Sequence, residues 1–165
     1  MTTTTGLRSP EPLKKGEFID LYLGEVIGSE EAESRANEGN REGLSYLFDL
    51  DKFSDLGDEG STDELSRDHE DGNSTYTIDG RKYGAVTRFI NHSCDPNLNT
   101  YAVASDRRDG EIYDLALFTN RAVPAYEELS FSYVAHTPSA VPPKDDQETW
   151  PCYCESENCV KRLWN

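Results

Sequence analysis

Positive charge is scarce in this chain. Against 32 Asp and Glu stand 16 Lys and Arg in 165 residues, a formal net charge of −16 and a pI near 4.4. Phosphate capture needs a basic face, so the balance argues against direct nucleic-acid binding and for a cationic partner. Long hydrophobic runs are lacking too. None approaches the roughly 20 apolar residues that cross a bilayer, and no apolar leader segment follows Met1. The chain is therefore not expected to span a membrane, and nothing supports secretion. Apolar residues make up only 35%, in a length that fits one domain. Part of the chain is expected to stay outside any core. Cysteine is sparse as well, with four in all.

The acidity is concentrated. Asp51, Asp55, Asp58, Glu59, Asp63, Glu64, Asp68, Glu70 and Asp71 face only Lys52 and Arg67, with Phe53, Leu56 and Leu65 as the apolar residues among them. Such a segment reads as a solvated insertion over about 51–72, and as an electrostatic lure for a basic peptide. Elsewhere short strands dominate. Glu17–Ile27 is rich in β-branched and aromatic residues and is interrupted by Gly24. Ser29 ahead of Glu30, Glu31 and Glu33 predicts a helix start, with Gly39 as its stop. Leu44–Leu50 reads as a strand, and Thr75–Tyr83 as a hairpin turning at Asp79-Gly80. Tyr101–Ala104, Ile112–Thr119 and Leu129–Val134 supply further strands. The prolines at 138, 142, 143 and 151 mark residues 137–151 as an irregular linker.

Cys152, Cys154 and Cys159 form C-x-C-x4-C, and Cys94 stands 58 positions upstream. Cysteines one residue apart are poorly placed to bridge each other. Without a secretion signal, a metal site is the better reading. Zinc favours four tetrahedral thiolate or imidazole ligands. The tail supplies three, and Cys94 is the obvious fourth; His92 and His136 are weaker candidates. One zinc ion held by four thiolates would pin the last 14 residues, with on the order of 10 kcal/mol available for ordering them.

The most specific string is Arg88-Phe-Ile-Asn-His-Ser-Cys-Asp-Pro-Asn97. Alone it could be a structural loop, since Asn and His often satisfy local backbone groups. With Tyr22-Leu-Gly-Glu25, Tyr46-Leu-Phe48, Glu128-Leu-Ser-Phe-Ser-Tyr133 and the Cys tail, it closely resembles the SET-domain protein lysine methyltransferases. The branch it is most similar to is the fungal enzymes that modify histone H3 at lysine nine and carry a post-SET zinc tail. The resemblance runs from about residue 6 to the end. It implies a mostly β SET-domain (β-clip) fold over residues 1–136, with the Arg88–Cys94 segment threaded under the strand ending at Tyr133 like a pseudoknot, and a post-SET tail over 152–165.

The resemblance also implies roles. S-adenosylmethionine would be held by Asn91, His92, Arg88, Tyr46 and the remaining glycine of the first motif, Gly6, with Trp164 closing over it. Tyr133 matches the catalytic tyrosine and Tyr22 the second tyrosine near the lysine amine. Phe131 matches the position that limits how many methyl groups are added, and Asp51 an acidic position lining the groove for a basic histone tail. A nuclear, chromatin-bound enzyme is expected. The chemistry fits these residue types. Deprotonating a lysine of pKa about 10.4 at pH 7 costs about 4.6 kcal/mol, and an aromatic channel offsets part of that by disfavouring the ammonium. Phe at 131 lacks a hydroxyl, making room for a bulkier methylated amine; di- or trimethylation is implied.

The chain departs from the family pattern in four places. Thr3-Thr-Thr-Gly6 stands where a Gly-Trp-Gly stretch is usual, and the Cys-rich pre-SET cluster is absent. Tyr126 replaces a turn glycine at a position of positive φ, and Ser132 replaces an acidic residue. An inactive SET module that binds chromatin or another protein is the competing reading. A zinc-stabilised interaction domain with a chance motif is a third, disfavoured by five motifs in order.

Overall fold

The computed structural model describes residues 6–42, 46–50, 76–104, 112–133 and 149–163. Strands predominate among them: β1 (Phe18–Tyr22), β2 (Glu25–Gly28), β3 (Leu47–Asp49), β4 (Tyr76–Asp79), β5 (Asn91–His92), β6 (Leu98–Val103), β7 (Asp114–Thr119), β8 (Ser130–Phe131), β9 (Trp150–Pro151) and β10 (Arg162–Leu163). Two α-helices accompany them, α1 (Ser29–Glu42) and α2 (Gly80–Tyr83), with a 3-10 turn over Val86–Phe89. The acidic run expected as an insertion lies outside the described residues.

The chain divides into two compact units, one formed from residues 1–20, 89–101 and 117–165, the other from 21–88 and 102–116. The strands of the sheet ordered β1-β7-β6 are cut by these boundaries.

In the first unit, early and late chain pair antiparallel. Leu13 exchanges backbone hydrogen bonds with Val123 at 2.8 and 3.0 Å, and Leu129 N–H donates to the Leu7 carbonyl at 2.8 Å. Gly16 takes φ +80°, and its N–H donates to the Thr119 carbonyl in the turn that leads into β1. A glycine suits that left-handed position. Strands β5 and β8 pair in parallel, Asn91 opposite Ser130 and His92 opposite Phe131. Strands β9 and β10 close the tail as a small antiparallel pair. Ile90, Leu98, Leu117, Val123, Leu129 and Phe131 are buried and supply the apolar core of this unit. Each contributes roughly 1.5–3 kcal/mol by leaving water.

The second unit is built on an antiparallel sheet ordered β2-β4-β3. Its central strand buries Thr77, Ile78 and Asp79. The helix α1 starts at Ser29 with Glu30 and Glu31 in its first turn, as its sequence predicts. It sends Arg35 to Glu25, Glu31 and Asp79 at 2.7–2.8 Å.

Two local expectations are overturned. Gly39 does not stop α1, which continues to Glu42. A helical glycine costs only about 1 kcal/mol relative to alanine, too little to end a helix by itself. Asp79-Gly80 is no hairpin either. The Asp79 carboxylate accepts from Arg81 N–H at 2.8 Å and caps α2, and Gly80 has no positive φ to make the tight turn. The paired strands β9 and β10 were not foreseen in the proline-marked tail.

Candidate functional site

The Arg88–Asn97 string is held by its last residue. Asn97 is buried; its Nδ2 donates to the Glu128 carbonyl at 2.8 Å and to Glu127 Oε1 at 3.1 Å, and its Oδ1 accepts from Ser130 N–H at 2.9 Å. One amide thereby ties the end of the string to the start of β8 and fixes the register of the parallel pair.

That register gathers four predicted residues in the first unit. Asn91 and His92 form β5, and Ser93 N–H donates to the Phe131 carbonyl at 3.2 Å. Phe131 is buried, with its ring centroid 4.9 Å from that of Tyr133. The edge of His92 meets the Tyr133 ring at 5.4 Å. The Tyr133 hydroxyl donates to the Ile90 carbonyl at 2.6 Å, and its backbone N–H donates to His92 Nδ1 at 3.0 Å. Tyr133 itself is half exposed.

Gly6 lies against the Glu128 carboxylate, and a Cβ there would fall on that group. Glu128 accepts from Asn91 Nδ2 at 2.7 Å and pairs with Arg8 at 3.1 Å. Sequence reasoning assigned no role to Glu128, Arg8 or Asn97. The first stands in the Glu128–Tyr133 motif and the last closes the Arg88 string, so both carried a signal; Arg8 carried none.

The second unit holds Tyr22, Tyr46 and Arg88. The buried Tyr22 donates from its hydroxyl to the Tyr46 carbonyl at 2.9 Å, and that carbonyl also accepts from Gly80 N–H at 3.0 Å. The Arg88 guanidinium donates to the carbonyls of Gly80 and Arg81 at 3.0 and 2.8 Å and lies 5.7 Å from the centre of the Tyr46 ring. It therefore braces the loop after β4 and the ring of Tyr46 together. Asp51, Trp164 and His136 lie outside the described residues. A surface hollow lined by Gly28, Ser29, Glu30, Glu31 and Tyr76 contains none of the predicted residues.

The cysteines converge. The sulfurs of Cys94, Cys152, Cys154 and Cys159 all lie within 4.8 Å of one another, with 3.8 Å between those of Cys94 and Cys152. A tetrahedral ion with metal–sulfur bonds of about 2.3 Å sets its sulfurs about 3.8 Å apart, so the cluster could hold a metal ion. Positive φ angles at Glu155 (57°) and Lys161 (68°) bend the tail around the thiols. Burial pushes the Cys152 thiol up to about 12 and also raises Cys94. At Cys154 burial opposes ionisation, but it is outweighed by the Ser156 hydroxyl and by the backbone N–H groups of Cys94 and Ser156, which bring the thiol down to about 6. Lys161 N–H donates to the Cys159 sulfur at 3.4 Å. Backbone donors aimed at sulfur suit thiolate ligands.

The SET domain model matches residues 4–134, and the chain belongs to the SET-domain family. Among curated relatives it is 42% identical over 164 residues to the histone-lysine N-methyltransferase, H3 lysine-9 specific KMT1 of Fusarium mangiferae, covering 96% of this chain and 45% of that protein. It is 40% identical over 170 residues to the H3 lysine-9 specific dim-5 enzyme of Neurospora crassa, covering 96% of this chain and 47% of the relative. The chain thus spans about half the length of these relatives. The solved structure of the Neurospora SET domain protein DIM-5, a histone lysine methyltransferase, superposes with a TM-score of 0.65 at 40% identity, over 90% of this chain and 52% of that one. A structure described as a basis for product specificity of histone lysine methyltransferases gives 0.74 at 36% identity, over 99% and 53%.

Proposed function

We propose that this chain is an S-adenosylmethionine-dependent protein-lysine methyltransferase acting on the histone H3 tail at lysine nine, in the nucleus, with a di- or trimethyl product. One observation carries the reading. Asn91, His92 and Phe131 lie on one parallel strand pair with Tyr133 just beyond it, against His92 and Phe131, in a chain 40% identical to an H3 lysine-9 specific enzyme.

The surroundings suit two cations, a sulfonium and a lysine. The faces of Phe131 and Tyr133 and the Ile90 carbonyl are all electron-rich. When bound, S-adenosylmethionine supplies an electrophilic methyl group. By the family resemblance, Asn91, His92, Gly6, Tyr46, Arg88 and Trp164 are the residues that would hold it, and Asp51 the one that would meet the basic peptide. The Tyr133 hydroxyl donates its hydrogen bond to the Ile90 carbonyl, so toward an N–H of the lysine amine its oxygen would act as acceptor. Tyr133 and Tyr22 orient that amine, and Phe131 sets the room for its methyl groups. Much of the acceleration is positional, since methyl transfer needs nitrogen, methyl and sulfur in line. Zinc held by Cys94, Cys152, Cys154 and Cys159 is structural and cross-links the tail to the string containing Cys94.

The second reading, an inactive SET module that binds chromatin or a partner, is favoured by one observation: Thr3-Thr-Thr-Gly6 in place of Gly-Trp-Gly. Calorimetric titration of S-adenosylmethionine into zinc-replete protein separates the two. Binding, followed by methyl addition to an H3 tail peptide in mass spectra, is expected, with Tyr133→Phe removing most of it. No binding at millimolar ligand would sink the enzyme reading. Phe131→Tyr is expected to shift the product toward monomethyl.

A further inference from the structure

His92 touches two things at once. Its Nδ1 accepts the backbone N–H of Tyr133 at 3.0 Å, so Nδ1 carries no proton and the neutral ring holds its proton on Nε2. That nitrogen lies 3.3 Å from the Cys94 sulfur, which is itself 3.8 Å from the sulfur of Cys152. The ring edge also bears on the Tyr133 ring at 5.4 Å. Two positions before His92, the Ile90 carbonyl receives the Tyr133 hydroxyl at 2.6 Å. The same short strand therefore grips Tyr133 by its backbone and by its phenol, and one imidazole links that grip to the thiol cluster.

We propose that His92 is a positioning residue that couples metal occupancy of the Cys94–Cys152–Cys154–Cys159 cluster to the placement of Tyr133. A bound metal fixes the Cys94 sulfur, Nε2–H follows the sulfur, and Nδ1 then fixes the backbone of residue 133. Without the metal the sulfur is no longer held, and the ring loses its anchor on that sulfur. Groups that hydrogen-bond metal ligands orient them, and losing such a partner commonly weakens metal binding 10–100-fold. Here the same partner also faces the residue proposed to orient the substrate amine. The inference rests on the reading that the four thiols hold a metal, and the test separates the two.

The full chain is labelled with 15N-tyrosine, and the Tyr133 amide is assigned by its loss in Tyr133→Phe. Zinc is titrated into metal-free protein, with stoichiometry followed by atomic absorption. One metal per chain and a Tyr133 amide that shifts in step with binding are expected. His92→Asn keeps an acceptor near the Nδ1 position without reach to Cys94; His92→Gln keeps a donor near the Nε2 position without that acceptor. His92→Asn is expected to bind one metal about 10–100-fold more weakly and His92→Gln close to wild type, and in neither should the Tyr133 signal follow the metal. Stoichiometric binding with the Tyr133 shift undiminished in both variants would overturn the coupling and leave the metal reading standing. So would a wild-type Tyr133 signal indifferent to zinc. Absence of metal binding in the wild type would overturn both. Should one variant fail to fold, the other and the wild-type response decide.

Discussion

The two units are fastened by different means. Around Asn91–Asn97 the fastening side chains are themselves uncharged, even where they meet the carboxylates of Glu127 and Glu128: the Asn97 amide makes three bonds, an imidazole bridges to a sulfur, and four thiols converge. In the unit with Tyr22, Tyr46 and Arg88, one cation, Arg35, joins Glu25, Glu31 and the buried Asp79. Neutral networks fail piecemeal, because each lost bond is worth about 1 kcal/mol. A buried charge fails abruptly, because removing its partner leaves it uncompensated. The first unit should degrade by steps and the second by a single event.

The largest expected effect is on the tail. Chelation should remove the proposed metal cross-link, worth on the order of 10 kcal/mol, and residues 149–163 should become protease-sensitive while β5 and β8 stay protected from hydrogen exchange. Unchanged tail resistance would show that the small β9–β10 pair suffices by itself. Next comes Arg35→Ala, expected to destabilise by about 3 kcal/mol in urea unfolding, since Asp79 is then buried without its cation. The sign of the pH dependence follows. Burial alone would raise the Asp79 carboxyl, but Arg35, the Arg81 N–H and their charges hold it below the usual carboxylate value. The stability from that depression is present above the usual value near 3.9 and is lost as pH falls through the lower folded value. Arg35→Ala should erase this part of the acid transition; an identical acid profile would move the charge argument elsewhere.

Asn97→Ala should cost about 1–2 kcal/mol in thermal unfolding, by leaving the Ser130 N–H and the Glu128 carbonyl without their partner. A loss as large as that of Arg35→Ala would erase the distinction between the units. The smallest effect has the opposite sign. Tyr126 sits at φ 64° in the turn before Glu127, where a non-glycine residue is strained by about 1–2 kcal/mol. Glycine there returns some of that gain as unfolded-state entropy, so Tyr126→Gly should stabilise by about 0.5–1 kcal/mol.

The same contrast governs what could be read from the sequence. The thiol cluster was legible because ligand spacing is a short-range signal and Cys94 adjoins a specific string. The positive φ at Tyr126 was legible against the family's glycine. The split between β1 and β2 at Gly24 was legible from composition. What escaped depended on partners far along the chain. Arg35 meets Asp79 across 44 positions, and no pattern announces that meeting. Once it forms, Asp79 is committed to capping α2 and to its cation, and the apparent hairpin at Asp79-Gly80 becomes a helical turn. Glu128 likewise acquires its contacts from Arg8, 120 positions away, and Asn91, 37 away. Gly39 shows the weakness of a local stop signal when the helix can simply continue.

Residues 7–13 find their backbone partners at 123–129. On a ribosome adding about 5–20 residues per second, the stretch made early waits roughly 6–24 s for the residues it will lie beside. Leu7 and Leu13 therefore emerge long before their partners and spend that interval without their final place. The earlier of these two paired segments is thus among the last parts of this fold able to settle.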